Sequence, residues 1–324
     1  MMARLSEREI IKLFLEVFGK PPKKALPLGD DVSGVMLNKN MVAVLKVDMF
    51  VDKTDMPPGM SFFHAGWKAM VMSISDFAAK AVKPQAALIS LGLPSTLNRR
   101  KIKEIGLGLS KASTRYGFKI LGGDTNEASN LTIATILFGV SKKKNIVLRS
   151  GAKVGDLVAV SGRFGKTSSG LKILLEGMEA PHSLKEKLLK QVYMPQAKLS
   201  LGLNLKKVGV TSAIDSSDGL AWSLHELSKA SNVGFVLDKV PIAREAKIFA
   251  RINRLDPFEL AFYGGEEYEL VVTINPKKFS KAPESLRKKF LVIGEVVKEK
   301  KIVYVRKNVE KRVEAKGWEH FTKQ

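Results

Sequence analysis

Apolar and polar positions recur along this chain with two periods, helical and strand-like, and the switches between them mark out its elements. Near the N-terminus Ile10, Leu13, Phe14 and Val17 share one helical face behind Ser6-x-x-Glu9, a capping box that opens a helix to Val17 before Gly19 and Pro21 stop it. Met41 to Val47 is a β-prone run that ends at Asp48, so Asp48 is expected at a strand terminus. The spacing of Trp67, Met70, Val71, Ile74 and Ala78 predicts a mostly buried helix over Ser61 to Ala79, with Asp76 on its last turns. Ala87 to Leu93 reads as a strand, and Asn98 caps a helix to Tyr116. Lys119-Ile120-Leu121 then leads into Gly122-Gly123-Asp124, and Leu131 to Val140 is another strand.

The segment Ser141 to Asp156 is lysine-rich, contains Ser150-Gly151 and Gly155-Asp156, and separates confident apolar strands. It predicts two domains, 1–145 and 146–324. In the second, Val158 to Ser161 is a strand, Ser168 to Leu175 begins a helix, Val210 to Ile214 is a strand, and Ser217 or Asp218 caps a helix to Ala230. Helix and strand continue to alternate through Phe235 to Leu237, Ile242 to Asn253, Tyr268 to Thr273 and Phe290 to Val297. Both halves mix helices with strands, which fits an α+β or α/β class.

Length supports the two-domain reading: 324 residues exceed one typical core, and 45% hydrophobic content with 13 prolines describes a compact globular chain. No apolar run reaches the ~20 residues needed to span a bilayer. Met1 to Glu9 is charged and lacks the apolar centre of a signal peptide, so a soluble cytoplasmic protein is expected. The absence of cysteine removes disulfides, thiolate metal sites, iron–sulfur clusters and cysteine nucleophiles together. A net charge of +22 admits a nucleic-acid-binding module, whose affinity would fall steeply with salt, but no helix-turn-helix, zinc-finger or RNA-recognition signature accompanies it. Runs such as Lys142-Lys143-Lys144 read as solvated turns.

Against that basic background, acidic residues gather beside glycine or serine at expected loop positions: Gly29-Asp30-Asp31, Gly122-Gly123-Asp124, Asp215-Ser216-Ser217-Asp218-Gly219 and Gly264-Gly265-Glu266-Glu267. Each alone is ordinary turn chemistry. Together with Asp76, which is costly to bury unless paired or metal-bound, they point to a divalent cation. His64, His182, His225 and His320 have no zinc-ligand spacing, and an all-oxygen donor set selects magnesium, calcium or manganese. Ser161-Gly162-Arg163-Phe164-Gly165-Lys166-Thr167 imitates a phosphate loop, but Val160 stands where the first glycine is required; a tight strand-to-helix turn is expected instead.

The order of these motifs resembles the thiamine-monophosphate kinases. The resemblance runs through Gly29-Asp30-Asp31, Lys46-Val47-Asp48, Trp67-Lys68-Ala69 to Ser75-Asp76, Gly122-Gly123-Asp124, Arg149-x-Gly151-Ala152, Ile214-Asp215-x-Ser217-Asp218-Gly219, Gly264-Gly265-Glu266-Glu267-Tyr268 and Lys316-Gly317-Trp318. That family lies in the aminoimidazole ribonucleotide synthetase-like superfamily. It implies an N-terminal α+β domain whose strands form a barrel with a second subunit, a C-terminal α/β-sandwich domain, and hence a homodimer. Relatives that depend on a catalytic cysteine are set aside, since this chain has none. Another ATP-dependent member acting on a different phosphorylated or carbonyl acceptor is the alternative.

The resemblance implies transfer of the γ-phosphoryl group of ATP to thiamine monophosphate, assisted by several Mg2+ ions and needing no catalytic side chain of its own. By motif, Asp31, Asp48, Asp76, Asp124 and Asp215 correspond to metal ligands, with Asp218 and Asp30 as further candidates. Gly123, Asp124, Arg149 and Ser217 correspond to ATP contacts, and Glu266, Trp318 and Asp55 to substrate contacts. Two departures stand out: Lys46 and Val47 precede Asp48 where hydroxyl residues are usual, and Asp55-Met56 stands where a histidine–phenylalanine pair often falls.

Overall fold

The computed structural model describes residues 5–19, 22–307 and 309–321. Pro21, expected as a helix stop, lies outside them. The elements in the first part are α1 (Glu7–Phe18), β1 (Ser33–Met36), β2 (Met41–Val51), α2 (Asp52–Asp55), α3 (Phe62–Ala79), β3 (Ala86–Leu93), α4 (Arg99–Tyr116), β4 (Lys119–Glu127) and β5 (Thr132–Lys142). The strands form a five-stranded open sheet in the order β1-β2-β5-β3-β4, antiparallel except for the β3–β4 pair.

The remainder adds β6 (Leu157–Val160), α5 (Lys166–Glu176), α6 (His182–Tyr193), α7 (Leu199–Gly202), β7 (Val210–Asp215), α8 (Leu220–Ser231), β8 (Gly234–Leu237), β9 (Leu270–Ile274), β10 (Leu291–Val297), β11 (Ile302–Arg306) and β12 (Val309–Arg312), with short helices at Arg244–Ile252 and Pro257–Phe262. Seven strands form the second sheet, ordered β12-β11-β8-β10-β6-β9-β7. Among the described residues no helix is long and apolar enough to cross a membrane.

Helix α3 joins the two sheets. Fourteen of its residues are buried, because it packs on β2 and β5 along one side and on β7 and α7 along another. A helix covered all round carries no polar stripe, which is why its sequence is apolar with small Ala, Gly and Ser between. Those small residues set the approach to α4: a Cβ on Gly66 would meet the Ile105 carbonyl oxygen, and one on Gly108 would meet that of Phe63. One hydrophobic cluster therefore runs from Val42 and Phe77 through to Val210 and Val272.

Three expectations change. β2 does not stop at Asp48 but continues to Val51, because Phe50 is fully buried and holds the alternation; Asp48 sits inside the ladder opposite Thr135. Gly122-Gly123-Asp124 is strand, not loop, with Gly123 opposite Ile89 so closely that a Cβ would enter the Ile89 backbone. Helix α8 is capped by Gly219 without a side-chain hydrogen bond, so neither Ser217 nor Asp218 serves as its cap. The capping box of α1 is present, but Leu13, Phe14 and Val17 on its apolar face are exposed.

Candidate functional site

Three elements bring carboxylates to one point. β7 ends in Asp215, α3 presents Asp76 from its last turn, and the turn before β1 carries Asp31. Oxygens of Asp31, Asp76 and Asp215, all buried, lie within 4.8 Å of one another. Three carboxylates so close in a poorly solvated pocket cannot all ionise without compensating cations. Burial pushes Asp76 well up, with Asp215, Asp48 and Asp31 adding to the effect against the pull of Lys46. Asp215 is pushed up to about 7, by burial first and Asp31 second. Asp31 goes the other way: burial raises it, but Lys80 and Arg149 together hold its carboxyl below the usual range.

Basic side chains frame the cluster. Lys80, completely buried at the end of α3, places Nζ 2.6 Å from Asp30 Oδ1 and 2.8 Å from Asp31 Oδ2, and donates to the Ala213 carbonyl oxygen at 2.7 Å. Arg149 lies with Nε and Nη2 each 2.5 Å from Asp31 Oδ1, while its backbone N–H donates to Asp30 Oδ2 at 2.9 Å. Both oxygens of Asp30 are thereby engaged by the protein, which makes it a clamp on Lys80 and Arg149. Lys46 bridges Asp48 Oδ1 at 3.1 Å and Asp76 Oδ2 at 2.8 Å. Asp48 Oδ2 is buried without a hydrogen-bond partner. An all-oxygen donor set with excess negative charge and an unpartnered buried oxygen fits a hard divalent cation such as magnesium.

A cleft of about 990 Å³ opens beside the cluster. Asp48, Asp76, Arg149, Asp215, Ser217 and Asp218 line one part of it; α1 and the segment from Trp318 to Phe321 line another. Trp318 is placed by its backbone N–H, which donates to the Asp218 carbonyl oxygen at 3.0 Å, and by an edge-on contact of its ring with His320. Arg8 spans to the far wall, with its guanidinium 3.8 Å from the centre of the Trp222 ring and 3.2 Å from Glu226.

A second ionic group lies by α2. Lys68, almost fully buried, donates from Nζ to the Asp55 carbonyl oxygen at 2.9 Å and pairs with Glu266 Oε1. Glu266 adopts φ 61°, rare for a residue with a side chain, and its buried Oε2 has no hydrogen-bond partner. The Asp55 carboxylate turns inward, accepting from Val51 N–H at 2.8 Å and Thr54 Oγ1 at 3.0 Å.

Gly123 and Asp124 are not brought to the cleft. They lie exposed on the edge strand β4. The imitation phosphate loop is also accounted for: Glu267 Oε1 accepts from Gly165 N–H at 2.7 Å and Thr167 N–H at 3.0 Å, so a carboxylate of the chain already fills the N-terminus of α5. Lys68 and Lys80 were missed from the sequence. The available signal was a lysine within or directly after a predominantly apolar helix, which can be buried only with a partner.

The AIR synthase related N-terminal domain matches residues 29–141, and the corresponding C-terminal domain matches 153–307. The thiamine-monophosphate kinase of Nitrosopumilus maritimus is 39% identical over 323 residues, covering 99% of this chain and 100% of the relative. That of Pyrococcus horikoshii is 35% identical, covering 99% and 97%. The solved structure of AaThiL complexed with AMPPCP and TMP superposes with a TM-score of 0.87 at 27% identity, covering 99% of this chain and 100% of that one. Fold, ordered motifs and full-length identity agree: the chain belongs to the thiamine-monophosphate kinase family, within the AIR synthase related proteins.

Proposed function

We propose that this protein transfers the γ-phosphoryl group of ATP to the phosphate of thiamine monophosphate, giving thiamine diphosphate and ADP. The observation that carries the reading is the convergence of Asp31, Asp76 and Asp215 on one wall of a large cleft, in a chain 39% identical to a thiamine-monophosphate kinase. The acceptor is a phosphate monoester with a second pKa near ~6, already mostly ionised at neutral pH, so no strong general base is required. What the site must do is hold two polyanions in line and offset their charge.

Asp31, Asp48, Asp76 and Asp215 would hold magnesium, with Asp218 at the cleft wall and Asp30 behind them as supporting groups. Magnesium bound there supplies charge neutralisation along the polyphosphate. Arg149, its guanidinium held by Asp31, Gly29 and Glu226, keeps a permanent positive charge on the cleft wall to offset phosphate, and Ser217 offers a hydroxyl nearby. At the acceptor end, Trp318 offers a face for a cationic ring and the buried, unpartnered Glu266 Oε2 offers an acceptor, with Asp55 shaping the pocket through its backbone contact to Lys68. Gly123 and Asp124 enter this reading through a second copy of the chain. The outer face of the first sheet supports such pairing: Leu45, Val47, Met49 and Leu88 are exposed there, opposite Phe138, Ile136 and Ala134 in the ladder. We accordingly propose domains at 1–145 and 146–324 in a cytoplasmic homodimer.

Incubating the purified protein with ATP, Mg2+ and thiamine monophosphate should yield thiamine diphosphate, separable by chromatography. ATP binding without product at saturating acceptor would retire the acceptor assignment.

A further inference from the structure

Lys46 bridges two carboxylates on the wall of the cleft. It lies two residues before Asp48 on β2, so the strand period places both side chains on the face that also carries the buried Val44 and Phe50 and packs on α3. From there the ammonium reaches Asp48 Oδ1 at 3.1 Å and Asp76 Oδ2 at 2.8 Å. Asp76 is shared: its carboxylate also belongs to the group with Asp31 and Asp215. Taken ionised, the connected carboxylates are Asp30, Asp31, Asp48, Asp76, Asp215 and Glu226, and the cations they touch are Lys46, Lys80, Arg149 and Arg8. Six against four leaves a formal excess of two negative charges, which is the charge of one divalent ion.

We propose that Lys46 is a built-in cation that takes the place of one divalent ion between Asp48 and Asp76, leaving the Asp31–Asp76–Asp215 group to bind metal from solution. The inference rests on the magnesium role assigned to these aspartates and adds to it a reduced metal requirement peculiar to this side chain. Lys46 is a positioning residue: it holds Asp48 and Asp76 together before any metal arrives. Because an ammonium is a compact point charge on a strand-anchored stem, it can occupy this position without the six-fold oxygen shell that magnesium demands.

The test is Mn2+ binding by equilibrium dialysis, without nucleotide, for the wild-type protein, Lys46→Thr and Lys46→Arg. Lys46→Thr should take up one more Mn2+ per chain than wild type, and Lys46→Arg the same number as wild type. In chelator, Lys46→Thr should melt below wild type, and added Mn2+ should raise its Tm more than it raises that of wild type; this readout remains if the variant is too unstable for dialysis without metal. Equal Mn2+ uptake in wild type and Lys46→Thr, or equal Tm gains, overturns the inference while leaving the kinase reading standing. A wild-type chain that binds no Mn2+, alone or with a non-hydrolysable ATP analogue, overturns the magnesium role itself.

Discussion

With its carboxyl pushed up to about 7 from an ordinary 3.8, Asp215 takes up a proton on folding across a pH range in which the unfolded chain is ionised. The sign follows from linkage: the folded state binds more protons between those two values, so this contribution to stability is complete at low pH and is lost as pH rises through about 7. Metal-free protein should therefore show a Tm that falls from roughly pH 4 to 7 and levels off above that, with the fall reduced by Mg2+ and by Asp215→Asn. A chelated protein whose Tm is flat over that range would contradict the buried cluster. Asp76→Asn should lower kcat by more than about 100-fold while leaving the far-UV spectrum unchanged, because several kcal/mol of charge stabilisation pass through that carboxylate; near-normal turnover would remove Asp76 from the metal shell. Asp215 was readable from the sequence because an acidic cluster beside serine and glycine is conspicuous in a chain of net charge +22, and Asp76 because a carboxylate among apolar helix residues is costly to bury. Their lysine partners were not, since 54 basic residues hide the two or three that turn inward.

Helices and strands set the tolerances within which those residues meet. The α3–α4 crossing is closed to side chains at Gly66 and Gly108, so Gly108→Ala must push backbone against backbone and should cost about 1–3 kcal/mol of unfolding free energy. Denaturant titration reads this directly, and a neutral result would mean the helices have slack. At α5 the buried Glu267, its carboxyl pushed up to about 7 chiefly by burial, holds the amides of Gly165 and Thr167. Glu267→Ala should cost about 1–3 kcal/mol by orphaning them, whereas Glu267→Gln keeps an acceptor and should cost less. Similar losses for both would show that the carboxylate is not the cap. Period and capping located α1, α3 and α4 from sequence, because Ser6, Ser61 and Asn98 each accept a backbone N–H from the first turn. The same rules misplaced Gly122-Gly123-Asp124, since glycine there serves close strand approach and not a turn.

At the scale of the whole molecule, the open apolar face of the first sheet is the feature a solitary chain leaves uncovered. Sedimentation should find a dimer, and Leu88→Glu, which places a charge on that face away from the cleft, should shift it to monomer; a dimer unaffected by that change would place the interface elsewhere. Sequence division into two halves is a poor guide to the core, because α3 is packed by both sheets and one apolar cluster crosses between them. No periodicity reports that, since it depends on which buried faces find each other. Lys80 has a consequence for motion. It ties the end of α3 to the Asp30–Asp31 turn and to the Ala213 carbonyl of β7, so the joint between the halves and the carboxylate cluster are fastened by one ammonium. Swinging the halves apart to let a product leave would tear out a buried charge. The opposite wall is held more lightly: α1 has no buried residue and is tied down by Arg8 to Glu226 and by the His320 N–H to Glu7, so opening the cleft there costs less than parting the halves.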